Sequence, residues 1–149
     1  MGCDIHMFLQ TRKTQQSEWI TGEELSMGRD YELFDMIANV RGDHYHRISQ
    51  AVPYWGEVVK IGDYTVPVEF GQDVINRVTK NLDADYYDDQ FYIGEHSFCT
   101  LTPADFFQYR HFHEIHEEYH RRKLGEILMA MLCATKSSKN VRCIIGFDS

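Results

Sequence analysis

The chain has 149 residues, a length that suits one domain, and its 43% hydrophobic and 13% aromatic residues supply a core despite a mean hydropathy of −0.45. Lys and Arg total 15 against 23 Asp and Glu, a net charge of −8 that disfavours direct binding to nucleic-acid phosphates, because such binding needs a positive field. The cysteines at 3, 99, 133 and 143 form no C-x-x-C pair, and no apolar run approaches the roughly 20 residues of a membrane span, so reduced thiols in a cytoplasmic protein are expected.

Residues 1–10 alternate like a strand. Cys3, Ile5, Met7 and Leu9 fall on a core face, and Asp4, His6, Phe8 and Gln10 on the other. A polar stretch at 11–17 reads as a loop, with a short returning strand at Trp19 and Ile20. Helical spacing of Leu33, Phe34, Ile37 and Ala38, with Asp30 before them and Gly42 after, predicts a helix over 30–40. A hairpin turning at Gly62-Asp63 is predicted over 58–70, a helix over 73–82 and an exposed acidic loop over 83–89.

Thr102-Pro103-Ala104-Asp105 is a helix start, with Thr as cap and Pro at the first helical position. The apolar stripe beyond it changes phase between Phe112, Ile115, Tyr119 and Leu124, Ile127, Leu128, Met131, which predicts two helices broken near 121–125. Residues 141–147 read as a terminal strand. Short strands mixed with helices predict a single α+β domain over 1–149, with a partly antiparallel sheet whose first and last strands are neighbours.

Asp4 and His6 share a strand face about 7 Å apart, a gap that one metal ion or one phosphate group bridges. An oxygen and an imidazole suit zinc, manganese or iron better than calcium. The plainer reading is a half-exposed polar strand face. If the last strand pairs antiparallel with the first, Asp148 joins them, giving a candidate metal set of Asp4, His6 and Asp148. His96, just before the Thr102 helix start, is placed to reach such a site as acid or base beside Asp148.

His113, His116, Glu117 and His120 fall on one helical stripe, and residues 116–120 match the zinc motif H-E-x-x-H. Charged neighbours at Glu118, Arg121, Arg122 and Lys123, and the lack of a following G-x-x-H, favour a solvated helix face instead.

The opening Met1-Gly2-Cys3-Asp4-Ile5-His6, Arg29-Asp30-Tyr31-Glu32-Leu33-Phe34 leading to Ala38-Asn39-Val40-Arg41, His96-Ser97 leading to Leu101-Thr102, and the ending Gly146-Phe147-Asp148-Ser149 resemble a family of small uncharacterised proteins encoded by bacteriophages and prophage-bearing bacterial genomes. The resemblance spans the chain and includes Asp4, His6, His96 and Asp148; it implies an accessory protein of the bacterial host cytoplasm and supplies no chemistry. The chain departs from that pattern at Val68-Glu69-Phe70-Gly71-Gln72, where relatives carry a Pro-Arg-Gly-Leu-Pro-like turn. Asp4-x-His6, Gly42-Asp43 and His111-x-His113 also resemble fragments of the metallophosphoesterase ligand series, without its G-N-H element. Two functions are therefore expected: a metal-assisted hydrolase of a phosphorylated or nucleotide substrate, or a non-catalytic acidic inhibitor that blocks a host defence protein.

Overall fold

The computed structural model describes residues 2–53, 56–84 and 90–148. Its main sheet is built from β1 (Asp4–Thr11), β2 (Ile20–Glu24), β3 (Gln50–Ala51), β6 (His96–Leu101) and β7 (Val141–Asp148), in the order β2-β1-β7-β6-β3. Every neighbouring pair in it is antiparallel. A separate hairpin joins β4 (Val58–Ile61) to β5 (Tyr64–Pro67) through Gly62, whose φ of 60° lies where a side chain is disfavoured. The helices are α1 (Tyr31–Ala38), α2 (Gln72–Lys80), α3 (Pro103–Gln108) and α4 (Glu118–Ala134). Among the described residues no helix is long and apolar enough to cross a membrane.

Both faces of the sheet are covered. On one, Ile5, Met7, Cys143, Ile145 and Phe147 pack with Leu33, Phe34 and Ile37 of α1 and Leu124, Ile127 and Met131 of α4. On the other, Phe8 and Ile144 meet Ile61 and Val66 of the hairpin and Val74 and Val78 of α2. The second face of β1 is thus more apolar in its surroundings than alternation alone suggests: Phe8 and Gln10 are buried, and His6 keeps partial access. The Gln10 amide is satisfied within the protein, donating to the Phe70 carbonyl at 2.8 Å and accepting from Arg142 Nε at 2.8 Å.

Caps at the helix starts match the sequence. The Asp30 side chain accepts from Leu33 N, and Thr102 with Asp105 forms a capping box. The predicted break near 121–125 is corrected: α4 runs unbroken through it, and the interruption lies between Gln108 and Glu118. The reason is His120. It takes the core position one turn before Leu124, while Tyr119 is exposed, so the buried stripe of α4 begins with a polar residue. Phe112 and Ile115 reach the core from a 3₁₀ turn and an extended stretch instead.

Candidate functional site

The β1–β7 register sets Asp4 opposite Asp148 and His6 opposite Gly146, so Asp4, His6 and Asp148 share one face. His6 Nε2 lies 2.6 Å from Asp148 Oδ2, a diagonal contact across the ladder. The other ring nitrogen stands 3.6 Å from Glu24 Oε1 on β2, and the ring of Tyr92 packs edge-on at 4.8 Å. His6 is therefore held between two carboxylates and an aromatic edge.

Asp4, on the same face, is paired with Arg29. Its carboxylate accepts from Arg29 Nε at 2.8 Å and Nη2 at 3.1 Å, a two-point pairing that uses both oxygens. These hydrogen bonds hold Asp4 below its ordinary carboxylate range. The structure brings His6 and Asp148 into contact and gives the third residue of the expected metal set to a guanidinium.

Gly146 makes room for the wall beside them. A Cβ there would lie 1.9 Å from the Ile93 carbonyl oxygen, so only glycine lets the 93–95 segment cross the sheet at this point. At Gly94, with φ 92°, a Cβ would lie 2.6 Å from Phe147 N, and Glu95 N donates to Phe147 O at 2.7 Å. The crossing walls one side of a half-open cavity of about 490 Å³ between the end of the sheet and the β4–β5 hairpin. His6, Asp148, Asp63, Glu95, Tyr64 and Tyr92 are among its walls. A second hollow, of about 900 Å³, is lined by Arg12, Lys13 and Lys136 with a single acid, Glu18, and no histidine. The first combines the His6–Asp148 contact with a half-open volume suited to a small ligand.

His96 does not line that cavity. It pairs in register with Phe147 and its ring lies 6.5 Å from the Phe147 ring, nearly parallel, which places it on the α1 face of the sheet, away from His6 and Asp148. A register shift between His96 and Cys99, with Ser97 at φ 55°, sets this direction. Neither does the His113–His120 stripe form as expected. His113 sits on a 3₁₀ turn, His116 precedes α4, and both are exposed, whereas His120 is buried. Of the predicted acidic loop, residues 85–89 lie outside the described residues. Sequence reasoning missed Glu24, Arg29, Tyr64, Tyr92 and Glu95; only Arg29 carried a signal, as a member of the Arg29-to-Phe34 motif.

No family model, curated protein or solved structure matches the chain.

Proposed function

We propose that the protein is a hydrolase of a small phosphorylated or nucleotide substrate bound in the cavity at the His6–Asp148 end of the sheet. The observation that carries this reading is the 2.6 Å contact between His6 Nε2 and Asp148 Oδ2 in the cavity wall. An imidazole and a carboxylate at that distance share one proton. Among the described residues Asp148 Oδ1 accepts no hydrogen bond, which leaves it for a water. As that water attacks phosphorus, its proton passes to Asp148 and the bond from phosphorus to the leaving oxygen breaks; the leaving oxygen takes a proton from solvent, while the His6 contact holds the carboxylate in place.

The substrate class follows from charge and shape. Asp63, Glu95 and Asp148 repel a bare phosphate, so the phosphate enters as its complex with a divalent cation such as manganese, whose charge these carboxylates offset. Tyr64 and Tyr92, whose rings meet at 65°, give aromatic wall for a sugar or base to pack against. The test is phosphate release from a panel of nucleotides and sugar phosphates, with manganese, zinc or chelator. Cation-dependent release from one compound class is expected; no release from any member with any cation removes the hydrolase reading.

A further inference from the structure

The buried His120 has a ring nitrogen with no hydrogen-bond partner among the described residues. Its side chain is 5% exposed. One ring nitrogen, Nε2, lies 2.8 Å from Oδ2 of Asp30, the residue that caps α1. The other, Nδ1, is buried and has no hydrogen-bond partner among the described residues. It nevertheless faces two carboxylate oxygens, Glu32 Oε2 and Glu117 Oε2, each 3.5 Å away. In the tautomer whose Nε2 proton goes to Asp30, Nδ1 presents a lone pair toward two anions, and a divalent cation between them satisfies all three.

We infer that Glu32, Glu117 and His120 form a zinc-class divalent metal site joining the first turn of α1 to the start of α4. The three ligand atoms all lie within 4.8 Å of one another. Donors bound to tetrahedral zinc at 2.0–2.1 Å stand about 3.4 Å apart, close to the spacing of Nδ1 from each carboxylate. Two carboxylates and a neutral imidazole match the charge of a divalent ion, and water completes the coordination on the exposed side of the glutamates. Asp30 supplies the outer carboxylate that commonly orients a metal-bound histidine. Two residues of the H-E-x-x-H run serve here in new roles: Glu117 is a ligand, His120 binds through Nδ1, and His116 takes no part. The ion bridges two helix starts whose residues are 85 positions apart (117 − 32), so it stabilises the fold and is independent of the cavity at His6.

The test is zinc uptake by the full chain after chelator treatment, read by competition with a chromophoric chelator and by melting temperature, with the visible spectrum of the cobalt form as the coordination signature. About one equivalent is expected, with a rise in melting temperature and a tetrahedral or five-coordinate cobalt spectrum. Glu32→Gln and Glu117→Gln, both at exposed glutamates that leave the core intact, should each weaken uptake about tenfold or more. His111→Ala, in a second cluster of His46, His111 and Glu114, and Asp148→Asn should leave it unchanged. Absence of uptake, uptake indifferent to both glutamine variants, or uptake lost with His111→Ala or Asp148→Asn overturns the inference.

Discussion

His6 and Asp148 are 142 positions apart in sequence and 2.6 Å apart in space. The contact exists because the first and last strands are adjacent and antiparallel, in a register that a slip of one residue would destroy by turning His6 to the opposite face. Glycine at 146 then lets a third segment close over the pair.

That close approach predicts a sharp contrast between two glycine-to-alanine changes. Gly146→Ala drives a methyl group into the Ile93 carbonyl and should destabilise by about 3 kcal/mol or more, the upper end of overpacking. Gly125→Ala, on α4 with open space around it, should stabilise by about 0.5–1 kcal/mol through reduced freedom of the unfolded chain. Urea denaturation of the two variants checks both signs.

Arg142 is buried between Gln10, the Glu69 carbonyl and the Trp19 ring, donating at 2.8 Å to the first and 2.7 Å to the second. Burial pushes it down to about 10, still charged at neutral pH. Lysine cannot reproduce the two-directional donation, so Arg142→Lys should cost about 1–3 kcal/mol. An unchanged urea midpoint would show that the network contributes little.

The thiols should divide by burial. Cys133 is exposed, whereas Cys3, Cys99 and Cys143 are buried, with burial raising Cys99 to about 11 and Cys143 to about 12. At pH 8 a thiol reagent should label Cys133 alone in the folded protein and all four cysteines in denaturant.

Asp4 provides a pH dependence of known sign. Its folded value is lowered by Arg29, so the pair adds stability above the ordinary carboxylate pKa and loses it as pH falls through the lowered value. Both side chains are about half exposed, which keeps the effect small. Arg29→Ala should return the Asp4 titration toward the ordinary range, read by carboxyl NMR.

The strands were legible because helices and loops seldom produce the period-two alternation of residues 3–9 and 141–147, and the same alternation aligned Asp148 with the Asp4 and His6 face. What pattern does not encode is tertiary contact. Phe8 and Gln10 are buried because the β4–β5 hairpin and α2 cover their face, a partner the strand itself does not announce. Arg29 captures Asp4 across 25 positions, a pairing no spacing rule marks. His96 is redirected by a positive φ at Ser97, a residue type that gives little warning of it. The break between α3 and α4 falls earlier than the apolar stripe predicts because His120 occupies a core position that an apolar count passes over.

The most direct measurement is the turnover number of Asp148→Asn beside His96→Ala on whichever phosphorylated compound the wild-type protein hydrolyses. Asparagine keeps the size of the side chain and removes its basicity, so a loss of about 10²–10⁴-fold in kcat is expected, with the melting temperature little changed. His96→Ala, on the other face of the sheet, should keep near-wild-type turnover. Full activity in Asp148→Asn, or a loss confined to His96→Ala, would contradict a reaction centred on the His6–Asp148 pair.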